Sequence, residues 1–308
     1  MIVVVGAAAV DVVARRERYV AGTSNPAAIR WAPGGVGYRI WRRLPAPKLL
    51  LSAVGDDLAG RWLEGKIGVR RRPAPAGSGR GPRGGRGRAR RQDATLLRLR
   101  GFPTACYTAL MESGRLLYGA ADMEVIEQGL TGARLRAHLP PLGPSDLLVL
   151  EANLSPALVA ELLRRFAGRT RVVFEGVSVE KLLRHEPGLR DLFLLSVNAD
   201  EARALRGRVA PRARGEGWVD GFLAERRVAH LLVGQGPRGA RLYACAADGR
   251  VRGLAAAPAR VIRVPDTTGA GDRLLAALLA RLARGVAPVR ALPLAMREVE
   301  KALEEGTL

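Results

Sequence analysis

From residue 146 onward, short apolar runs alternate with amphipathic stretches, and this alternation constrains the fold more than any other feature. Residues 147–150, 171–174, 193–197 and 230–233 read as strands. Residues 156–166, 179–184, 199–205 and 218–226 read as helices. Strands alternating with helices imply parallel β-α-β units joined by right-handed crossovers. In such a sheet the C-terminal strand ends share one edge, where open α/β sheets bind their ligands. Four predicted strands end there in polar residues or glycine: Glu151-Ala152-Asn153, Glu175-Gly176, Asn198 with Glu201, and Gly234-Gln235-Gly236. The spacing therefore predicts a small-molecule site.

A chain of 308 residues allows one large α/β domain with a small appendage, or two modest ones, and a single domain over 1–308 is expected. Residues 2–5 are all apolar and mostly β-branched, as in a strand buried on both faces, and Asp11 follows shortly after. Gly34-Gly35 opens a helical segment that stops by Pro45. A strand over 49–54 leads through Gly55-Asp56-Asp57 into a helix over 58–65, and 104–120 reads as a hairpin around Glu112-Ser113-Gly114.

The net charge of +21 invites a nucleic-acid reading, but its distribution argues otherwise. Residues 66–101 carry 12 Lys and Arg against one Asp. Up to residue 95 they are rich in Gly, Arg and Pro, too poor in apolar groups to offset the entropy of ordering. A flexible insertion is expected over 66–101, most mobile over 70–94. It is either an RNA-binding segment acting through phosphate contacts or a biased insertion without function. The lack of interleaved aromatics favours the second. The remaining charge is scattered over helix faces.

Other classes are excluded more directly. Cys106 and Cys245 are the only cysteines, which leaves no disulfide framework and fits a reducing, cytoplasmic compartment. His138, His185 and His230 have no metal-ligand spacing, and no apolar run approaches the ~20 residues of a membrane span. The N-terminus lacks the basic lead of a signal peptide.

The chemistry concentrates in Asp266-Thr267-Thr268-Gly269-Ala270-Gly271-Asp272, which precedes an apolar helix from Leu274. A Gly-Ala-Gly loop opening a helix turns unpaired N–H groups toward an anion at the positive end of the helix dipole. The aspartate after it suits a base that takes a hydroxyl proton as a phosphoryl group arrives.

This string resembles the signature of the ribokinase-like carbohydrate kinases, the PfkB family. Gly34-Gly35 with Ala53-Val54-Gly55-Asp56-Asp57 and Gly60 is similar to that family's other signature, and Asn198 with Glu201 to its Asn-x-x-Glu motif. Residues 22–26, 121–125 and 175–179 with Lys181 resemble the branch acting on pseudouridine. The resemblance implies a ribokinase-like α/β sandwich, Rossmann-like, with a small β-sheet lid whose strands fall within 12–32 and 96–120. It implies ATP-dependent phosphorylation of a ribose 5′-hydroxyl, with pseudouridine favoured, Mg²⁺ as cofactor and a monovalent cation such as K⁺ near residues 266–268.

By the same resemblance, Asp272 is the base, and the amides of Gly269, Ala270 and Gly271 stabilise the transferring group. Asp11, Gly34, Gly35, Thr23, Asn25 and Asn153 line the substrate side. Asn198, Glu201, Gly234, Gly236, Gly239 and Thr268 serve the nucleotide, with Glu201 toward the metal. Lys181 reads as a surface residue. A homodimer joined through the lid is an open alternative.

Three positions depart from the family pattern. Arg39 stands where Asn is usual, and a long cation there either crowds the sugar pocket or pairs with Asp11. Gly234 replaces a Thr and Ala277 a Gly. The segment 38–48 is also unusually basic, with four cationic residues and two prolines. These features leave a catalytically impaired family member as the alternative. The kinase reading requires Asp11 and Asp272 to face one cavity, and it collapses if the two acids lie on opposite sides of the molecule or if Arg39 plugs the space between them.

Overall fold

The computed structural model describes residues 1–69, 93–213, 215–245, 251–256 and 269–306. Thr268, the expected cation site and the most Arg/Gly-rich stretch, 70–92, lie outside the described residues.

The large sheet has nine strands. In chain order they are β1 (Ile2–Val5), β4 (Lys48–Gly55), β5 (Ala94–Leu99), β8 (Leu147–Glu151), β9 (Arg171–Glu175), β10 (Leu194–Asn198), β11 (His230–Gly234), β12 (Ala240–Cys245) and β13 (Val251–Ala256). Their spatial order is β13-β12-β11-β10-β9-β8-β1-β4-β5. From β11 to β5 every neighbouring pair is parallel. β12 and β13 run antiparallel at one edge. The turn after β11 closes within Gln235–Gly239, where the Gln235 amide donates to the Gly239 carbonyl at 2.7 Å. So short a link permits a hairpin but no crossover.

Each central strand is apolar on both faces because helices cover both. Val3, Val5, Leu148 and Leu150 pack toward α4 (Pro156–Phe166), α5 (Val179–His185), α6 (Ala199–Val209) and α7 (Trp218–Arg226). Ile2, Val4, Leu147 and Val149 pack toward α1 (Val36–Arg43), α2 (Leu58–Ile67), α8 (Ala270–Leu282) and α9 (Pro288–Glu304). The short α3 (Gly132–Leu135) precedes β8. The molecule is thus the three-layer α/β arrangement that unbroken apolar strands demand.

A second sheet of four strands, in the order β3-β2-β6-β7, is built from β2 (Ala9–Arg16), β3 (Ala28–Gly34), β6 (Cys106–Glu112) and β7 (Arg115–Asp122). β2 begins buried, becomes more exposed along its length, and carries Asp11 near its buried start. An edge-on contact between Trp31 and Trp62, with ring centroids 6.1 Å apart, ties this sheet to α2.

Two expectations need correction. Within the expected insertion 66–101, the described ends are ordered: Lys66 and Ile67 finish α2, and Ala94–Leu99 is β5. That strand also removes the start of the expected lid range 96–120, because it pairs in parallel with β4, from Leu50 opposite Ala94 to Gly55 opposite Leu99. Its alternation decides this, since Ala94 and Leu96 are buried against the core.

The signature around Gly55-Asp56-Asp57 and Gly60 is a structural clasp. Asp57 caps α2 by accepting from the Gly60 amide at 2.7 Å, and it also accepts from the Thr104 amide at 2.8 Å and hydroxyl at 2.5 Å. The Thr104 hydroxyl oxygen in turn accepts from the Gly55 amide at 3.0 Å. A Cβ on Gly60 would lie 2.4 Å from the Gly55 carbonyl oxygen, so only glycine fits. Burial raises the Asp57 pKa, but the Thr104 and Gly60 hydrogen bonds outweigh it and hold the carboxyl below its usual range. Asp57→Ala should lower unfolding free energy by about 1–3 kcal/mol through the lost cap and orphaned Thr104 donors. In urea titrations the midpoint should fall with an unchanged slope. Because the folded pKa is depressed, the contribution is present at neutral pH and disappears as pH falls through that value.

Candidate active site

The C-terminal ends of the parallel strands meet the N-terminus of α8. Gly269 caps that helix in the left-handed region, with φ +87°. The amides of the first turn have no acceptor within the helix, and such a turn suits an anion. Asp272 lies in this first turn, its side chain 11% exposed. Burial pushes its carboxyl up to about 6, although Arg39 and Arg43 oppose the shift; the Asp11 charge adds to it.

Asp11 is brought to the same place by β2. It is 5% exposed. Gly34 makes room for it, because a Cβ there would fall 2.0 Å from Asp11 Oδ1. Gly35, at φ +87°, turns the chain into α1 with no space for a side chain, since a Cβ would meet the Ala7 carbonyl at 2.5 Å. The two glycines were expected to let the backbone approach a sugar. Gly34 leaves room for the protein's own acid, and Gly35 for its own strand-to-helix corner.

Arg39, on α1, joins the two acids. Its Nη2 donates to Asp11 Oδ2, and its Nη1 stands 3.8 Å from Asp272 Oδ2. Asp11 and Asp272 therefore flank one guanidinium, and of the two expected outcomes for Arg39 the ion pair is realised. The same guanidinium lies in the space between the acids, the placement named from the sequence as adverse to a kinase. Burial nonetheless raises the Asp11 pKa, with the Arg39 charge and hydrogen bond acting against it.

At the far ends of β10 and β11, Asn198 and Gly234 lie opposite each other in register. Asn198 caps α6 by accepting from the Asp200 and Glu201 amides, each at 2.9 Å. Glu201, 1% exposed, closes the box by accepting from the Asn198 amide at 2.9 Å and its side chain at 2.5 Å. Glu175 ends β9 beside them. Its Oε2 is buried with no hydrogen-bond partner. Burial, reinforced by the charges of Glu201 and Asp272, drives the Glu175 pKa well above the usual carboxylate range. Among the described residues no three His, Cys, Asp or Glu side chains converge on one point. An orphaned carboxylate oxygen beside Glu201 fits a Mg²⁺ ion held by one or two carboxylates, with phosphates and water completing its shell.

A Cβ on Gly234 would meet only the Val197 carbonyl, at 3.8 Å, so glycine is not sterically required there. Gly236 and Gly239 take positive φ, 58° and 90°, in the turn after β11. Ala277 is buried in the helix-side core.

The other substrate-side expectations fare differently. Asn153 is 2% exposed, and its carboxamide is committed inside the protein: Nδ2 donates to Glu151 at 2.6 Å while Oδ1 accepts from Lys181. That corrects both a substrate contact for Asn153 and a purely surface role for Lys181. The buried Glu151 anchors this chain and accepts from the Ala7 amide at 2.7 Å, bracing the turn after β1. Thr23 and Asn25 lie in the connection between β2 and β3. There Asn25 accepts from the Val20 amide at 2.9 Å and donates to the Val20 and Thr23 carbonyls at 2.8 and 2.9 Å. Sequence reasoning put Glu175 at the ligand edge without a role and passed over Arg43. Glu175 was legible as the polar end of a parallel strand, and Arg43 as the residue four after Arg39 on one predicted helix face.

The chain belongs to the pfkB family of carbohydrate kinases, whose sequence pattern matches residues 125–297. It is a phosphotransferase that acts on a hydroxyl group, of the ribokinase-like fold. It is 27% identical over 285 residues to the pseudouridine kinase of Escherichia coli (strain K12), covering 90% of this chain and 82% of that one. A carbohydrate kinase from Agrobacterium tumefaciens superposes with a TM-score of 0.71 at 22% identity, covering 98% of this chain and 90% of its own. Arabidopsis thaliana ribokinase complexed with ribose and ATP gives a TM-score of 0.70 at 17% identity, over 98% and 92% of the two chains. A nucleoside kinase from Methanocaldococcus jannaschii gives 0.65 at 17%, over 99% and 98%.

If Asp272 is the base, it must be ionised to accept a proton, and kcat/KM should rise with pH through about 6 and then level. Arg39→Gln removes a charge that holds this pKa down. The midpoint of the acid limb should therefore move upward in the variant's pH–rate profile, and a downward move would contradict the assignment.

Proposed function

We propose that the protein transfers the terminal phosphoryl group of ATP to the 5′-hydroxyl of a ribose-type acceptor, with pseudouridine the favoured substrate. The observation that carries the reading is Asp272 in the first turn of α8, one guanidinium away from Asp11. The similarity to a pseudouridine kinase over most of both chains supports the choice of acceptor.

In this reading Asp11 accepts hydrogen bonds from sugar hydroxyls and orients the 5′-oxygen toward Asp272. The hydroxyl oxygen forms a bond to the γ-phosphorus, and the bond from that phosphorus to the β,γ-bridging oxygen breaks. The hydroxyl proton passes to an Asp272 carboxylate oxygen, and ADP leaves with the bridging electron pair. The Gly269, Ala270 and Gly271 amides face the charge on the group in transit. Mg²⁺, when bound, neutralises phosphate charge; Glu201, oriented by Asn198, would hold it with the orphaned Glu175 oxygen at hand. Gly236 and Gly239 shape the nucleotide-side turn. The sheet carrying Asp11 serves as the lid, limiting access of water. Dimerisation through that sheet is supported by β7, exposed along its whole length. A cytoplasmic setting follows from the use of ATP, and among the described residues no helix is long and apolar enough to cross a membrane.

A second reading, a family member that binds nucleoside or nucleotide without turnover, is favoured by one observation. Arg39 sits where the sugar must enter, and its pairing with Asp11 has to be exchanged for hydroxyl contacts.

An ADP-release assay over pseudouridine, uridine, adenosine and ribose, with Mg²⁺ and K⁺ present, separates the two readings. Turnover with pseudouridine above the others is expected, and silence across the panel would leave only the second. In an active protein, Asp272→Asn should lower kcat by about 10²–10⁴-fold with ATP binding largely kept. Near-normal turnover in that variant would remove Asp272 as the base.

A further inference from the structure

Arg43 is one turn beyond Arg39 on α1, and its Nη1 donates to the Arg39 carbonyl at 3.0 Å. This bond folds the side chain back along the helix toward α8. The immediate surroundings of Gly269, first residue of the Gly-Ala-Gly cradle, then contain two guanidiniums. Measured from the position a Cβ on Gly269 would take, Arg39 Nη1 and Arg43 Nη2 are each 3.8 Å away, and Asp272 Oδ2 is 3.9 Å away. Arg43 Nε is buried and has no hydrogen-bond partner.

Among the described residues, Arg42, Arg273 and Arg39 bear on Arg43 with like charge and Asp272 with opposite charge, while Arg39 is paired with Asp11. Burial, with the neighbouring Arg42 charge, brings the Arg43 pKa down to about 10; Asp272 opposes the shift, and Arg273 and Arg39 add to it. A desolvated guanidinium beside other guanidiniums is costly unless an anion joins it. A planar fork of N–H donors suits phosphate oxygens in particular.

We propose that Arg43 is a further catalytic residue: its guanidinium grips the terminal phosphoryl group of the bound nucleoside triphosphate at the Gly269–Gly271 cradle, with Arg39 alongside. The inference rests on the kinase reading and deepens it. Backbone dipoles at a helix start offer partial charge, whereas a guanidinium places a full positive charge where negative charge builds on the equatorial oxygens. It also gives Arg39 an anion to turn to once sugar hydroxyls displace it from Asp11. Transfer then proceeds as already balanced, with the hydroxyl proton on Asp272 and ADP as leaving group, and Arg43 neither gains nor loses a proton.

Two measurements on the full chain test this. Isothermal calorimetry with inorganic tripolyphosphate reads the anion site without requiring turnover. Arg43→Gln should weaken binding at least tenfold, and Arg43→Lys, which keeps a cation and the α1 packing, should weaken it less. Equal affinity in the wild type and Arg43→Lys together with Arg43→Gln, or no binding by the wild type, overturns the proposal. Steady-state kinetics with ATP and the acceptor that the wild type uses should show kcat lower by about 10²–10³-fold in Arg43→Gln, with the acceptor KM changed little. Partial recovery on adding methylguanidinium is expected, and kcat within twofold of wild type overturns the proposal. If Arg43→Gln does not fold, Arg43→Lys decides on both measurements: unchanged affinity and unchanged kcat overturn the proposal. A wild type that turns over no acceptor but loses tripolyphosphate affinity in the variants would defeat the kinase reading and leave the anion site standing.

Discussion

A carboxylate that must work as a base is useful only if it is desolvated enough to want a proton and still charged enough to take one. In the proposed role Asp272 would meet both conditions, because burial and two nearby guanidiniums act on it in opposite directions. Much of the local structure serves that balance. Helix α8 brings Asp272 to the edge of the large sheet, α1 brings the guanidiniums, and the small sheet brings Asp11 to the other side of Arg39. Each element would carry an unpaired buried charge without the others, and an isolated buried charge is far costlier than a paired one.

The scaffold around this balance is itself polar where it has to be. Glu151 braces the turn after β1 through the Ala7 amide and holds Asn153, which in turn holds Lys181. Asp57 and Thr104 pin the start of α2 to the segment entering β6. Neither group needs to meet a ligand. Both keep strand ends and helix starts in a fixed relation, so that the open edge of a parallel sheet becomes a shaped site. Glu175 is the exception in this region. Its Oε2 is buried without a hydrogen-bond partner, and the charges of Glu201 and Asp272 bear on it.

Most of the architecture was legible in residues alone. Strands such as β1 and β8 are apolar on both faces, and the helices between them carry one apolar stripe, so period and length separate the two. The motif at Gly269–Asp272 was legible because a helix start with small residues has one evident use. Less legible was β5, whose six residues follow a long Gly/Arg-rich run and whose partner β4 lies more than forty residues back. The antiparallel turn at β12 was also hidden, because apolar alternation carries no strand direction. Asn153 misled for a related reason: a polar residue at a strand end can face a ligand or another buried polar group, and nearby sequence does not distinguish the two.

The sequence by itself determined the class of fold and set an acid behind a glycine loop at a helix start. These follow from local periodicity and from the chemistry of single residue types. Only the tertiary structure decided that Arg39 is shared between Asp11 and Asp272, that Arg43 closes on Gly269, and that Gly34 leaves room for Asp11. Those facts depend on distances between segments far apart in the chain, and electrostatic coupling varies steeply with distance and burial. A sequence states which charges exist; the folded chain states which of them are neighbours.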